Sequence, residues 1–409
     1  MGGSGRQGSL IMASLPERQH STVAQIIQWR ERQDANEQPR PYLGASQIGA
    51  SCSRALWYSF RWATQRQFDG RMLRLFERGQ REEAVFIAEL RAIGATVHEG
   101  PEPGKQFGVQ SCGGHFRGHM DGAAIGLPEA PDTWHVLEFK THNAKSFADL
   151  QKNGVAKSKP VHHAQMQIYM ALTGMTRAMY LAVNKDTDEL YGERISADAE
   201  EARRLLNKAE QIIFAPEPPP GVSTKPDWYE CKMCDHYDLC HGTAAPLPTC
   251  RSCAHATPEL DGTWTCERQG YRAMNPAMQR DGCSAHRFIP SLLSRWAELI
   301  DANDAQNIAR YRNTLTGNEF ENGEWSSVEI HAATDKRAIG DAGVNQWRQE
   351  FDAKVVSSPD LYWQTIKDGR RQLRDQNRSS GVLFVAQTQE NIDLAEQQGN
   401  REWMANDGT

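Results

Sequence analysis

The chain has 409 residues, 39% of them hydrophobic and 24% charged, with a formal net charge of −6 at pH 7. That length accommodates one large domain with additions, or two to three domains with ample apolar surface to bury. No run approaches the ~18 apolar residues of a membrane span, and no secretory pattern opens the sequence, so a cytoplasmic protein without a membrane partner is expected. The acidic balance excludes whole-molecule attraction to nucleic acid, so any such contact must come from local basic patches. Nine cysteines, including two Cys-x2-Cys spacings, point to metal binding in a reducing compartment rather than to a disulfide framework.

Met1 to Met12, rich in Gly and Ser, reads as a tail outside the fold. Val23 to Trp29 is the apolar stretch of a short helix, followed by a loose linker. Arg54 to Trp62 is a predicted helix with Ser46 or Ser51 as its cap. Met72 to Ile93 is a longer one, stopped by Gly94. Thr96 to Ile125, broken by Gly and Pro, alternates as strands and turns do. Trp134 to Lys140 is an apolar run with two embedded charges and reads as a buried strand. His163 to Leu172 has helical spacing, ended by Gly174, and Arg177 to Ile195 contains two strands around a hairpin signal. Ala197 to Phe214 is an amphipathic helix ended by the proline-rich 216–220. The order predicts an α/β fold with one mixed sheet. Its divisions are a tail and helix over 1–40, a main domain over 41–243, a cysteine-rich module over 244–290, and a polar region over 291–409. Only one helical pattern, near Trp347 to Phe351, stands out in that last region.

Gly118-His-Met-Asp121 is followed, after a turn, by Glu138-Phe-Lys140. Strand residues two apart share a face, so Glu138 and Lys140 project together. An Asp from a neighbouring strand completes a hard-oxygen pocket suited to Mg²⁺ or Mn²⁺. A metal there polarises a phosphate and acidifies bound water, while the lysine orients that water or neutralises growing charge. The bland alternative is an ion pair on an edge strand. Against it, two charges inside the run Val136 to Lys140 are costly unless paired or metal-bound. A glycine-rich stretch, Gly100 to Gln106, is one residue short of a phosphate loop and lacks the following helix, so no nucleotide-driven motor is encoded.

Residues 42–242 resemble the PD-(D/E)XK superfamily, and within it the RecB-like exonucleases of phages and CRISPR adaptation modules. Arg78-Gly79-Gln-Arg-Glu82-Glu83 is similar to that family's first-helix motif, with spacing that favours Glu83. Gly118 to Asp121 resembles the second motif, Glu138 to Lys140 the third, and Gln165-x3-Tyr169 the helix motif that follows. The resemblance implies a restriction-endonuclease-like core and a metal-dependent DNA exonuclease serving recombination or end processing. Asp121 and Glu138 would bind metal, Glu83 would assist, Lys140 would act on the water, and Gln165 and Tyr169 would order the site or hold the DNA. An endonuclease or nickase with the same site, or a non-cleaving DNA-binding scaffold, is the alternative. DNA is the expected partner, with a homo-oligomer or a recombination protein as further candidates.

Cys231-x2-Cys234-x5-Cys240 supplies three thiolates, one short of a closed site, and Cys52 far upstream can supply the fourth. Zinc on the same ligands, or His236 or His241 in place of one, remains open on spacing alone. The resemblance favours a structural [4Fe–4S] cluster stapling the ends of the domain. Cys250, Cys253, Cys266 and Cys283, within one short polar stretch, form a predicted all-thiolate zinc site, with His255 and His286 as possible substitutes. Cys112 has no partner and reads as a plain buried residue.

Between Arg54 and Arg81 lie seven arginines against Asp69 and Glu77, interleaved with Trp57, Tyr58, Phe60, Trp62, Phe68 and Phe76. Basic groups with aromatics suit a single-strand channel; the alternative is aromatic core with arginines on the wet side. Arg54, Arg74 and Arg78 are the DNA-contact candidates here. Lys145, with Lys152, Lys157 and Lys159, forms a second patch. His162 and His163, being adjacent, cannot both face the site.

Overall fold

A computed structural model describes residues 21–34, 38–66 and 68–356, and the backbone of three short strands over 361–365, 371–375 and 383–385. The predicted tail Met1 to Met12 lies outside the described residues. The chain divides into two compact units, one of residues 1–38 and 67–81, the other of 39–66 and 82–409.

In the first unit α1 (Thr22–Asp34) has no buried residue. Arg30 Nη1 meets Glu77 at 2.5 Å, and Gly70 N–H donates to Glu31 at 2.9 Å. Gly70 opens α3 (Gly70–Ala92), and its missing side chain leaves room for Ile27, whose backbone oxygen would lie 2.7 Å from an added Cβ.

The second unit is built on a five-stranded mixed sheet in the order β2 (Thr96–His98), β5 (Gly122–Ile125), β6 (His135–His142), β7 (Arg177–Asn184), β8 (Leu190–Ser196). β6 and β7 are parallel; the other neighbours are antiparallel. Alternation along β6 sends its apolar residues both ways. Leu137 and Phe139 join Phe86, Ile87 and Leu90 of α3, with Phe86 stacked on Phe139 at 5.1 Å. Val136 faces the cluster that includes α5 (Pro160–Thr173) and α6 (Ala199–Phe214). The sheet is flanked by helices, which makes the architecture α/β with one mixed five-stranded sheet, as the element order predicted.

A second sheet sets β4 (Phe116–Met120) between β1 (Leu43–Gly44, parallel) and β3 (Phe107–Ser111, antiparallel). Between β6 and α5 the chain forms α4 (Ala144–Ser158), a helix the sequence did not signal. Asn143 caps it by accepting from Ser146 N–H at 2.8 Å, and Gly154 kinks it at φ 70°. Gly174, at φ 76°, ends α5 as expected.

α2 (Ser53–Phe60) is capped by Cys52 rather than by Ser46 or Ser51, with no side-chain cap bond. The aromatics of α2 and the turn after it leave the predicted single-strand channel, since Trp57, Tyr58, Phe60 and Trp62 are all buried, while Phe76 of the same set is exposed. The buried rings enclose two guanidinium groups. Arg251 lies 3.9 Å from the Trp62 ring centroid and 4.7 Å from that of Trp264, donating to Phe60 O at 2.8 Å and Pro41 O at 2.9 Å. Arg61 sits over Trp57 and Trp264. Ring faces and backbone carbonyls, rather than carboxylates, surround these two charges, with Arg61 Nε left without a hydrogen bond. The four-cysteine segment therefore shares a core with the main domain, Trp264 and Cys266 packing in the same cluster as Phe60 and Tyr169.

Residues 291–356 carry more secondary structure than the polarity of the region suggested. β11 (Ala297–Asn303), β12 (Ile308–Asn313) and β13 (Glu319–Asn322) form an antiparallel meander. Its core holds Phe288, Trp296, Tyr311, Phe320 and Trp325. Single large aromatics, 5 to 15 positions apart among polar neighbours, carry this core, which a mean-polarity reading passes over.

Candidate active site

Asp121 is the residue joining β4 to β5. β5 pairs with β6 so that Gly122 opposes Leu137, which brings Asp121 beside the next strand. Phe139 N–H donates to Asp121 Oδ2 at 2.7 Å. From β6, Glu138 and Lys140 point to the α5 face. There Gln165 Nε2 donates to Glu138 Oε2 at 3.0 Å and to Tyr169 OH at 3.1 Å. Tyr169 in turn donates to His119 O on β4 at 2.8 Å. One turn of helix thus ties both strands of the site together. Gly118 permits this approach: an added Cβ would lie 2.5 Å from Tyr169 Cε1 and 2.8 Å from Ala45 Cβ.

Lys140 Nζ lies 2.5 Å from Glu138 Oε1 and 4.0 Å from Asp121 Oδ2. Glu138 is fully buried, and its Oε1 accepts no well-aligned hydrogen bond, only the ion pair. Burial pushes the Glu138 carboxyl up to about 7; Lys140 opposes the shift, and Asp121 and Glu83 add to it. Glu83, half-buried on α3, is raised to about 7 by burial and then by Asp121. Burial works against the Lys140 charge, yet Glu138 and Asp121 hold the ammonium above its ordinary range. Three carboxyls thus share the field of one cation.

Beside His162, which the sequence flagged, the structure adds two neighbours that it did not, His142 and Tyr180. His142, two residues past Lys140 on the same strand face, lies with Nε2 2.8 Å from Tyr180 OH. His162 Nδ1 lies 3.0 Å from the same hydroxyl. Burial, then Lys159 and Lys140, lowers His142 to about 4; burial, then Lys140, lowers His162 to about 3. Both imidazoles are neutral at pH 7. Of the adjacent histidines it is therefore His162 that approaches the site, while His163 pairs with Glu201 at 3.4 Å. Period-two alternation from Glu138 was the available signal for His142. Tyr180, inside an apolar strand, gave none.

The DNA-contact candidates separate. Lys145 is exposed in the first turn of α4, five residues beyond Lys140. Arg54 instead belongs with the thiols, its Nη1 3.6 Å from Cys240 Sγ and its Nε donating to Pro219 O at 2.8 Å. Arg74 and Arg78 belong to the first unit. Cys52, Cys231, Cys234 and Cys240 line one cavity. Cys250 is pushed up to about 12 by burial and then by Cys253, Cys283 and Cys266, which lie within its electrostatic reach. All nine cysteines are free thiols. Among the described residues, no three His, Cys, Asp or Glu side chains are gathered tightly enough to hold a metal ion as they stand.

No protein-family model and no curated protein matches the chain. Among solved structures, SSO0001 is similar at 14% identity, with 55% of this chain and 98% of that one covered and a TM-score of 0.32. An alkaline exonuclease (LHK-Exo) from Laribacter hongkongensis is similar at 18% identity, 46% and 89% coverage and a TM-score of 0.31. Its complex with dAMP gives 16% identity, the same coverage and a TM-score of 0.30. No helix among the described residues is long and apolar enough to cross a membrane.

Proposed function

We propose that this chain is a Mg²⁺- or Mn²⁺-dependent deoxyribonuclease acting as an exonuclease from DNA ends. The observation that carries the reading is the meeting of Asp121, Glu138 and Lys140 at one point, with Gln165 bonded to the buried carboxylate. The Lys140 ammonium between two carboxylates marks a place that favours a cation. Glu138 Oε1, buried and met only by the Lys140 ammonium among the described residues, is an oxygen donor of the kind a hard cation takes. Asp121 and Glu138 would hold the metal and Glu83 would assist. Bound there, a divalent ion supplies Lewis acidity at the scissile phosphate. Gln165 fixes the Glu138 carboxylate, and Phe139 N–H fixes that of Asp121. Lys140 steadies the attacking water and opposes charge growing on the phosphate oxygens. Lys145 would contact the DNA backbone, with Arg74 and Arg78 as further contacts.

We read the first thiol set as ligands of a [4Fe–4S] cluster. Support comes from the shared cavity and from Arg54, whose charge faces Cys240 and offsets thiolates. The second set is read as a zinc site with a structural role. Metal analysis of anaerobically purified protein tests both; a colourless protein holding two zinc ions and no iron refutes the cluster.

The activity test uses end-labelled linear and covalently closed DNA with Mn²⁺. Linear substrate should shorten from its ends while circles survive, and Asp121→Ala, Glu138→Ala or Lys140→Ala should each abolish cutting. Rapid nicking of circles overturns the exonuclease reading, and full activity in all three variants overturns the site.

A further inference from the structure

The solvent side of the second sheet carries a feature the catalytic reading does not use. Tyr42, just before β1, has two guanidinium groups close to its ring: Arg40 Cζ is 5.5 Å from the ring centroid and Arg117 Cζ 5.8 Å. The His119 ring lies 6.3 Å away at 59°. Arg40, Arg117 and His119 are exposed and Tyr42 is half-buried, in a segment where the other large aromatics are packed into the core. Neither arginine makes an ion pair among the described residues. Arg117 Nε donates only to Gly114 O, at 2.7 Å.

Three details show that the feature is built. Gly44 has no side chain, and a Cβ there would collide with Arg40 Nη1, so the glycine lets that guanidinium fold back toward Tyr42. The Arg40 carbonyl accepts from Trp62 Nε1 at 2.9 Å, anchoring its backbone to the core. His119 stands opposite Gly108 on β3, whose lack of a side chain leaves the imidazole uncovered. The strand is also tied to the catalytic helix, because His119 O accepts from Tyr169. His119 lies two residues before Asp121 and Arg117 four, within about 7 Å and 14 Å along extended chain. The ledge is thus held in fixed register with the carboxylates.

An aromatic face flanked by unpaired cations, on a molecule of net charge −6, is complementary to a polyanion with flat, unstacked rings. We infer that Arg40, Tyr42, Arg117 and His119 form a binding ledge for an unpaired DNA strand: one base stacks on Tyr42, and the guanidinium groups take adjacent phosphates. The inference rests on the nuclease reading and deepens it, because the ledge would deliver the strand to Asp121. A base inside a duplex is stacked on both faces and has none to offer Tyr42, so the ledge selects single strands or frayed ends.

The experiment measures binding of a fluorescein-labelled single-stranded oligonucleotide in EDTA, and cleavage of the same oligonucleotide in Mn²⁺. Tyr42→Ala should weaken binding about tenfold, whereas Tyr42→Phe, which keeps the ring, should bind as wild type. Arg40→Gln with Arg117→Gln should lower the salt slope of binding by about 1.4, since each lost phosphate contact removes roughly 0.7 on a single strand. These variants should raise KM and leave kcat within about twofold, and circular dichroism should match wild type. Variants that bind and cleave as wild type does overturn the ledge and leave the nuclease standing. Ledge-dependent binding with no cleavage in any divalent metal supports the ledge and removes the nuclease reading. Equal competition by blunt duplex and by single strand overturns the strand selectivity and with it the inference.

Discussion

Replacing Lys140 with Met isolates the energetic coupling inside the site. Lys140 meets the fully buried Glu138 at 2.5 Å, and Gln165 supplies the one other polar contact to that carboxylate. Leaving a buried charge unpaired costs on the order of 3–5 kcal/mol. Glu138 can avoid much of that by keeping its proton, because burial already raises it to about 7. A carboxyl raised above its unfolded value makes the folded state bind more protons, so stability falls as pH climbs through the interval between the two values. Lys140→Met raises the folded value further, and the fall then continues above pH 7. At pH 6 the variant should lose about 1 kcal/mol from the missing contact. At pH 8.5 it should lose about 2 kcal/mol more, at ~1.4 kcal/mol per pH unit beyond 7. Urea unfolding in EDTA at the two pH values reads this directly. Adding Glu138→Gln should cancel the pH-dependent part. Equal destabilisation at both pH values, or no recovery in the double variant, would refute the coupling.

Gly118→Ala drives a methyl group into Tyr169 and Ala45; we expect a loss of about 1–3 kcal/mol in thermal or urea unfolding, with nuclease rate falling at least tenfold as the Gln165–Glu138 contact shifts. Arg251→Leu removes the donors to Phe60 O, Pro41 O and Gln279; about 2–4 kcal/mol of stability should go, measured by calorimetry, with the DNA-cleavage site residues untouched. His142, His236 and His286 are each lowered to about 4 by burial. They take up protons only on unfolding, so stability should drop as pH falls from about 6.5 toward 4, by up to ~1.4 kcal/mol per histidine per pH unit. Urea midpoints at pH 7 and pH 5 give the size of that drop, and His286→Gln should reduce it.

Legibility in the sequence followed the range of the interactions involved. α3, α5 and α6 announce themselves by apolar spacing and by glycine stops at Gly94 and Gly174, all local signals. Glu138 and Lys140 were readable as a pair because strand alternation fixes their common face. α4 was missed because its apolar residues are few and Gly154 interrupts it. The aromatics near α2 read as stacking groups because their charge partners are distant in sequence. Arg251 bonds Phe60 across 191 positions, and no window along the chain contains both. The same holds for Arg54, whose thiol partner Cys240 lies 186 positions away. Composition reported positive charge near rings correctly. It could not report whether those rings faced DNA or faced an arginine.

The charged groups of the site are held by neutral ones, and this sets where specificity can reside. Asp121 is fixed by a backbone N–H, Glu138 by an amide, and that amide by a tyrosine bonded to the carbonyl of His119. Gly118 lets the ring of Tyr169 lie against the strand, where an added Cβ would collide with it. His119, Tyr169, Gln165 and Glu138 thus form one hydrogen-bonded chain from β4 to β6, and the N–H that holds Asp121 comes from Phe139, the residue after Glu138. The solvent-facing strand β4 is in this way linked by hydrogen bonds to the buried carboxylate. A strand seated on Tyr42 and Arg117 would lie along β4, whose His119 carbonyl anchors Tyr169, so recognition and the hydrogen-bonded site share one strand without the ledge having to align Glu138.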